Sequence, residues 1–217
     1  MSRGAPKPVD VPWGLRIDVG QPTQVVRHVL LEAEAEAEAE AEAEAEAEAQ
    51  AEADAGTARR LIGTITEPTT CIKAFLPQDV MDPWFSSAWE PTDPCYLMAV
   101  DLRPSRVHAP AGYTATVDTA DGVTYVRILS ADGELAACGQ TGLAGTACVF
   151  DQIVTEPAHQ RRGLGTMVMD TLADAAVENG VSTGVLGATV QGRALYEALG
   201  WKVLSPLNGF VYRPVAP

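Results

Sequence analysis

Apolar and polar positions alternate from residue 113 to residue 155, as they do in half-buried β-strands. Asp-Gly pairs at 121–122 and 132–133 interrupt this alternation, and that dipeptide between apolar runs is a strong hairpin signal. The pattern therefore predicts an antiparallel meander. Its strands are predicted over Thr114 to Asp118, Val123 to Leu129, Leu135 to Thr141 and Ala147 to Thr155.

After this meander the spacing of apolar residues changes to three and four, which predicts a helix from Leu164 to the stop signal Asn179-Gly180. A buried strand is predicted over Val181 to Ala188. A crossover helix between two strands implies that they pair in parallel. The last predicted elements are a helix over Val190 to Leu199 and a closing hairpin of Trp201 to Leu204 with Phe210 to Arg213. This order predicts an α/β class fold on a mixed sheet of the α+β kind.

The first half of the chain has weaker patterns. Leu15 to Val19 is predicted to be a short strand, and Thr23 to Leu31 a helix with its valines on one side. Aromatic residues cluster over Asp82 to Pro94, which predicts a region that packs rather than a free linker. The polar, proline-flanked stretch Pro104 to Pro110 predicts a boundary between an N-terminal region, 1–110, and a domain over 111–217.

Glutamate and alanine alternate from Glu32 to Ala53 with one interruption, Gln50. Glutamate at every second position repeats like charges at i, i+4 and leaves a helix without an apolar stripe. A strand would carry alanine, a poor strand former, along one whole face. We therefore predict a fraying helix or a disordered acidic linker. A tolerated low-complexity expansion is the favoured interpretation, and an acidic arm for a basic partner is the alternative.

Charge and cysteine content exclude several classes of protein. Of the net charge of −14, Glu32 to Asp54 carries eleven negative charges, which leaves about −3 for the rest and argues against a nucleic-acid-binding surface. Four cysteines without C-x-x-C spacing and three scattered histidines predict neither a disulfide scaffold nor a metal site. No apolar run approaches the ~20 residues of a membrane helix, and Met1 to Val11 has no apolar signal core. A cytoplasmic protein without membrane association is expected.

The candidate chemistry lies where the last strand of the meander leads into a helix. Gln160-Arg161-Arg162-Gly163-Leu164-Gly165 is a glycine-bearing turn at a helix start, where free N–H groups and the helix dipole favour a pyrophosphate. The chain lacks G-x-x-x-x-G-K-[ST] and the third glycine with an acidic partner typical of dinucleotide-binding folds. About 30 residues further on, Leu195-Tyr196-Glu197-Ala198-Leu199-Gly200-Trp201 ends the second predicted helix.

These motifs in this register resemble the GCN5-related N-acetyltransferase (GNAT) family, over roughly Tyr113 to Tyr212. The family signature Q/R-x-x-G-x-G/A is matched by Gln160, Gly163 and Gly165, and a later L-Y-E-x-L-G-F/W by the segment that contains Tyr196. The resemblance implies the GNAT fold and acetyl-CoA as acetyl donor, with transfer to a small-molecule or protein amine. No metal and no nucleic acid are expected, and the sequence is compatible with a homodimer.

The resemblance also implies roles for single residues. Backbone groups of the strand would pair with the pantetheine arm, and N–H groups of the turn would bind the pyrophosphate. The implied cofactor-binding residues are Ile153, Val154, Thr155, Gln160, Arg161, Arg162, Gly163, Leu164, Gly165 and Thr166. A solvated helix start is the alternative interpretation of the two arginines. Tyr196 would protonate the departing CoA thiolate, a role that suits a phenol with a pKa near 10.

The general base is the least determined role. Asp151, on the fourth strand, is the first candidate to take the amine proton through water, and Glu156 at the strand end is the second. For either, a solvated or hydrogen-bonded carboxylate without a role is the alternative. His159 is interpreted as a surface residue. The backbone N–H of Ile153 is a candidate donor to the oxyanion of the tetrahedral intermediate.

The chain departs from the family pattern in one respect. The family usually places two helices between its first two strands, whereas Thr114 to Leu129 leaves room only for a turn. Residues 20–110 either supply the missing walls or form a degenerate copy of the same fold. We expect an N-acetyltransferase that works by direct transfer in a ternary complex, since no cysteine occupies a motif position. A non-catalytic acyl-CoA-binding module is the alternative.

Overall fold

Strands predominate in the residues that the structure, a computed structural model, describes: 7–31, 56–104 and 109–214. In chain order the strands are β1 (Val9–Val11), β2 (Gly14–Gln21), β3 (Gln24–Leu30), β4 (Cys71–Ala74), β5 (Trp89–Pro91), β6 (Cys95–Asp101), β7 (Tyr113–Ala120), β8 (Val123–Ser130), β9 (Leu135–Ala144), β10 (Ala147–Thr155), β11 (Thr183–Thr189), β12 (Lys202–Pro206) and β13 (Asn208–Tyr212). The helices are α1 (56–62), α2 (Gln78–Met81), α3 (Leu164–Glu178) and α4 (Val190–Ala198), with 3-10 turns at Asp82–Trp84 and Pro157–His159. The predicted acidic tract lies outside the described residues.

Contacts divide the chain into two compact units. The first unit comprises Ala5–Cys95 with Ser205–Pro217, and the second unit is built from Tyr96–Leu204. Each has its own sheet, with six strands in the order β1-β2-β3-β4-β13-β5 and seven in the order β12-β6-β11-β10-β9-β8-β7. Residue 110 falls inside the second unit, and the division into functional domains 1–110 and 111–217 stays a prediction.

The first unit corrects one prediction and confirms another. Thr23 to Leu31, predicted as a helix, is strand β3, in which alternate residues such as Val26 and Leu30 are buried. Its valines also fit one face of a helix, but β2 and β4 both bond to its backbone, so tertiary pairing decided the conformation. The predicted strand Leu15 to Val19 is confirmed as part of β2.

Aromatic side chains fill the core of the first unit. Trp84 and Trp89 are buried, and Phe85 stacks on Phe210 with their ring centroids 4.0 Å apart. The prediction that Asp82 to Pro94 packs is therefore confirmed.

The second unit has the predicted order of elements. Strands β7 to β10 form the antiparallel meander, and β10 pairs in parallel with β11. Helix α3 packs across β8, β9 and β10 and buries Leu164, Met167, Val168 and Leu172. Both predicted helices are confirmed. The predicted closing hairpin is wrong, because β12 is an edge strand of this sheet whereas β13 lies between β4 and β5. There the buried Phe210 completes the first unit's aromatic core.

The two sheets repeat one order of connections. In each, an antiparallel stretch leads to a parallel strand pair, β3 with β4 and β10 with β11. Next to each pair lies a strand from the other half of the sequence, β13 or β6, and then the edge strand β5 or β12. Helices and mixed sheets together confirm the predicted fold class. None of the helices in the described ranges is long and apolar enough to cross a membrane.

Candidate functional site

A β-bulge marks strand β10 at the centre of the second unit. Between the paired positions Asp151–Gln140 and Val154–Cys138, two residues of β10 face the single residue Gly139 of β9. Gln152 adopts a φ of +54°, which side chains rarely take. A Cβ on Gly139 would lie 2.6 Å from Ile153 Cδ1, so the glycine makes room for the bulge. Bulges of this kind turn strand backbone away from the regular ladder.

Strand β10 also leaves its parallel neighbour at this point. The ladder with β11 runs from Ala147 opposite Thr183 to Phe150 opposite Leu186. Beyond Phe150, the described pairing of β10 continues only with β9, as far as Thr155 opposite Ala137. Over its last residues, the side of β10 that faces β11 therefore has no ladder partner among the described strands. An extended ligand with amide groups can add there as a strand does.

The turn after β10 forms the start of α3. Arg161 has a φ of +61° and Gly163 a φ of +78°, so left-handed residues turn the chain into the helix. The first helical bond runs from the N–H of Met167 to the carbonyl of Gly163 at 3.1 Å, which leaves the N–H groups of the first turn outside the helix ladder. The first turn contains no acidic residue. This geometry, with the positive end of the helix dipole, suits an anion.

Side chains brace this turn from two sides. Gln160 Nε2 donates to the carbonyl of Thr155 at 3.3 Å and ties the turn to the end of β10. Arg162 Nη1 donates to the hydroxyl of Tyr113 at 2.8 Å, and that hydroxyl lies 3.0 Å from His159 Nδ1. Tyr113 is a residue that sequence reasoning missed. The sequence carries no signal for it, because it lies 46 residues before His159.

Three of the implied binding residues, Gly163, Leu164 and Gly165, have only backbone to offer a ligand. The side chain of Leu164 is buried in the core. Gly165 lets α3 approach α4, since a Cβ there would lie 3.0 Å from Leu195 Cδ2. At Gly163 the nearest atom to a Cβ would be Pro110 Cγ at 3.9 Å, so the left-handed φ rather than space demands glycine.

Tyr196 and Asp151 are brought together although 45 positions separate them in the chain. Tyr196 lies in α4, and 8% of it is exposed. Burial raises the pKa of the Tyr196 phenol, and the charge of Asp151 raises it further. The phenol therefore stays protonated at neutral pH, as a proton donor must. Asp151 Oδ1 accepts a hydrogen bond from the N–H of Gln152 at 2.9 Å, which orients the carboxylate at the bulge.

The other candidate bases are placed differently. Glu156 is exposed beyond the end of β10, where it precedes the 3-10 turn. His159 is half-buried, and its ring is nearly perpendicular to that of Tyr113, with the ring centroids 5.7 Å apart. Within the described part of the chain, no group of three or more His, Cys, Asp or Glu residues could hold a metal ion.

A bulged strand that leaves its parallel neighbour, followed by a helix start with N–H groups outside the helix ladder, suits an extended ligand that carries an anionic group. Residues 81–201 match the model of the Acetyltransferase (GNAT) family, and the chain belongs to this family. The sequence-based assignment is confirmed, and the protein is an acetyltransferase of the GNAT type. The family uses acetyl-CoA as its co-substrate.

Similar proteins agree with this assignment. The chain is 30% identical over 119 residues to the ribosomal protein bS18-alanine N-acetyltransferase of Escherichia coli (strain K12), which covers 53% of this chain and 78% of that protein. A GCN5-related N-acetyltransferase from Kribbella flavida is similar in structure with a TM-score of 0.60 at 16% identity, over 97% of this chain and 90% of that one. A tandem GNAT protein from the clavulanic acid biosynthesis pathway gives a TM-score of 0.50 at 12% identity, over 78% and 70%. At such identities the structural likeness shows the fold alone.

Proposed function

We propose that this protein is an acetyl-CoA-dependent N-acetyltransferase that transfers acetyl to a primary amine by direct attack in a ternary complex. One observation carries the proposal. The unpaired side of β10, the anion-binding start of α3 and the buried phenol of Tyr196 all belong to the second unit and surround one bulge.

The cofactor lies along β10 in this proposal. The pantetheine arm pairs with backbone groups of Ile153, Val154 and Thr155 on the side that β11 leaves unpaired. The pyrophosphate takes the N–H groups from Arg161 to Thr166. Arg161 and Arg162 are exposed beside this turn and add positive charge. Gln160 contributes by holding the turn to Thr155 rather than by touching the cofactor.

The chemistry follows from the residues around the bulge. Asp151 takes the proton of the incoming ammonium through water, and the free amine attacks the thioester carbonyl. The N–H of Ile153 stabilises the oxyanion that forms. The intermediate collapses with cleavage of the C–S bond, and Tyr196 protonates the departing thiolate. The remaining extra proton on the attacking nitrogen then passes to the Tyr196 phenolate through water, which restores the phenol. Burial raises the pKa of the thiols of Cys138 and Cys148, so neither favours the thiolate that an acetyl-enzyme route would need.

The acceptor is an amine of a small molecule or of a protein. The Escherichia coli relative acts on an alanine of a ribosomal protein, and its identity of 30% supports a protein amine as one candidate for this chain. A cytoplasmic location is part of the same proposal.

We also propose that the first unit is a degenerate copy of the same fold. Its parallel pair β3 and β4, followed by β13 and β5, repeats the order of β10 and β11, followed by β6 and β12. The sequence between Leu31 and Gly56, which follows β3 as the pyrophosphate turn follows β10, contains no glycine and carries the acidic tract. On this sequence difference we expect no pyrophosphate site in the first unit.

A non-catalytic acyl-CoA-binding module is the second candidate. It is favoured by the two-residue turn between β7 and β8, where the family places two helices that shape an acceptor pocket. Strand β7 is an edge strand of its sheet, and its residues after Tyr113 are all exposed. An unpaired edge of this length can pair with the edge of a second copy, so a homodimer stays a prediction that light scattering checks.

Titration of the purified protein with acetyl-CoA in a calorimeter, followed by thiol release across a panel of amines, tests the proposal. Binding with amine-dependent thiol release is the expected result. Binding without turnover on any small or peptide amine would favour the non-catalytic module. Absence of binding would contradict the cofactor site.

A further inference from the structure

Gln140 is a buried polar residue in the middle of the second unit's sheet. Its exposed fraction is 5%, and among the residues that the structure describes none accepts a hydrogen bond from its Nε2 amide nitrogen. Leaving a buried donor unpaired is costly, because the group has lost its water without a replacement. The neighbouring Thr141 is buried too, yet its hydroxyl donates to the carbonyl of Val149 at 3.1 Å. The amide of Gln140 thus lacks the kind of partner that its neighbour has, and the other buried atoms of this kind are Gln78 Oε1, Thr92 Oγ1 and Ser205 Oγ.

The register of the strands places Gln140 at the reaction centre. It lies directly opposite Asp151 across the β9–β10 ladder, at the last paired position before the bulge. Directly opposite residues of antiparallel strands project from the same face, with Cβ atoms about 4.5–5.5 Å apart. Tyr125 lies opposite Gln140 on its other side. The unpaired amide and the candidate base therefore share one face of the sheet.

The chemistry of the amide limits what it can bind. Nε2 carries two N–H donors, so its missing partner is an acceptor oxygen. An acceptor with a full negative charge is disfavoured, since the Asp151 carboxylate is the neighbour on that face. A neutral carbonyl fits both requirements.

We infer that Gln140 binds the carbonyl oxygen of the acetyl acceptor, and that the acceptor is an amine whose α-carbon bears a carbonyl, as at the amino terminus of a peptide. In this arrangement Asp151 receives the proton of the amine nitrogen. Gln140 Nε2 donates a hydrogen bond to the oxygen of the carbonyl group, whose carbon is two bonds from that nitrogen. Gln140 is thus a binding residue that selects the acceptor. The inference rests on the proposed function, because it assumes that acetyl transfer occurs at the bulge.

The test compares two acceptors that differ by the carbonyl group. Alaninamide and isopropylamine share the amine-bearing carbon and its methyl group, but only alaninamide carries a carbonyl there. Thiol release by the full chain is measured with each, at saturating acetyl-CoA, for the wild type, Gln140→Met and Thr141→Val. Methionine keeps the length of the side chain without its donors, and Thr141→Val is a matched loss of a partnered buried polar group.

The inference predicts that wild type prefers alaninamide, and that Gln140→Met lowers kcat/KM for alaninamide tenfold or more. The same variant should change kcat/KM for isopropylamine by less than twofold and leave the KM of acetyl-CoA unchanged. Its melting temperature should equal or exceed that of wild type, because an unpaired polar group has been removed. Thr141→Val should melt lower than wild type and keep the ratio of the two acceptors.

Several results would overturn the inference. An equal loss of kcat/KM with both acceptors would indicate that the Gln140 amide binds the thioester instead of the acceptor. A lower melting temperature for Gln140→Met would show that the amide has a partner within the fold. Absence of both turnover and calorimetric binding of alaninamide to the CoA-saturated wild type would exclude this class of acceptor. That outcome with normal acetyl-CoA binding overturns this inference alone, whereas failure to bind acetyl-CoA overturns the proposed function.

Discussion

The first and second units repeat an order of strands but end their parallel pairs differently. In the first unit, β3 pairs with β4 as far as Val29, one residue before β3 ends at Leu30. In the second unit, β10 leaves β11 after Phe150 and continues to Thr155. The first pair is closed to the end of its strand, whereas the second leaves backbone groups open beside a bulge. The same order of strands therefore leaves several residues of a parallel strand beyond its ladder in only one of the two units, the one that holds the proposed cofactor site.

The segments that follow these strands differ as much. After β10, eight residues with left-handed positions at Arg161 and Gly163 lead into the fifteen-residue helix α3. After β3, the chain carries alanine and glutamate without a glycine until Gly56. Repeated carboxylates repel a pyrophosphate, and glutamate cannot replace glycine where the backbone must adopt positive φ. Function in this protein belongs to a site on the fold and not to the fold itself.

Among the substitutions considered, loss of the Tyr196 hydroxyl should lower the catalytic activity most. We expect Tyr196→Phe to lower kcat by about 10²-fold or more, the range of general acid catalysis, with little change in the KM of acetyl-CoA. The matched control in the first unit is Tyr212→Phe, which should leave kcat unchanged. Because burial and Asp151 raise the pKa of Tyr196, loss of this proton should not decrease wild-type kcat at any pH below 10. Equal kcat for Tyr196→Phe and wild type would remove the proposed acid.

Substitution of the glycine at the start of α3 should be the next largest effect. Gly163 and Gly20 both have positive φ, +78° and +68°, and a Cβ would be unobstructed at each. Valine is strained at either position by a similar amount, so both variants should lose comparable stability. Only Gly163→Val should weaken acetyl-CoA binding, by at least tenfold in calorimetric Kd. Similar affinities in the two variants would place the pyrophosphate elsewhere.

The hydroxyl of Tyr113 should have a smaller effect on the same site. Tyr113→Phe removes the atom that joins Arg162 to His159, so the turn loses a brace without losing a cofactor contact. We expect the KM of acetyl-CoA to rise about three- to tenfold, as for one lost hydrogen bond, with kcat unchanged. Because the two side chains share this hydrogen bond, Arg162→Met in the Tyr113→Phe background should raise the KM further only through the loss of its positive charge. Fully additive effects would show that they act independently.

Acid should lower the stability of the first unit only modestly, and this effect should be independent of the proposed active site. His28 Nδ1 accepts a hydrogen bond from Trp13 Nε1 at 3.1 Å, and burial, with Arg16, lowers the pKa of His28 below its usual 6.5. A lowered pKa stabilises the folded state above pH 6.5, and this stability is lost as pH falls through the folded-state pKa. Urea unfolding at pH 7.5 and 5.0 should show less loss for His28→Gln than for wild type. An identical loss would assign the sensitivity to other groups.

Replacement of the acidic tract should have the smallest effect. A flexible Gly/Ser linker in place of residues 32–54 is expected to leave the Kd of acetyl-CoA and kcat/KM within twofold of wild type, since the proposed site lies wholly in the second unit. The same assays at two salt concentrations detect any contribution of the tract's charge. A large change in kcat/KM would instead support the acidic arm for a basic partner.

Local sequence patterns predicted the second unit well. The Asp-Gly turns fixed the hairpins of the meander, and the spacing from Leu164 onward with the glycines around it fixed α3 and the turn before it. These signals act within a few residues, where turn chemistry and helical periodicity decide the conformation. The motif around Gly163 and Tyr196 also identified the family, which the match over residues 81–201 confirms.

The pairing of strands from distant segments could not be predicted from the sequence. The spacing of the valines in β3 fits a helix as well as a strand, and only the backbone hydrogen bonds to β2 and β4 distinguish the two. The sequence likewise suggested that β13 pairs with β12, whereas β13 pairs with β4 and places Phe210 in the first unit's core. The hydrogen bond from Arg162 to Tyr113 and the position of Gln140 opposite Asp151 likewise depend on how separate elements pack. The sequence by itself determined which local elements and which chemistry the chain carries. Only the tertiary structure decided which strands pair, because those choices depend on burial and backbone bonds between residues far apart in the chain.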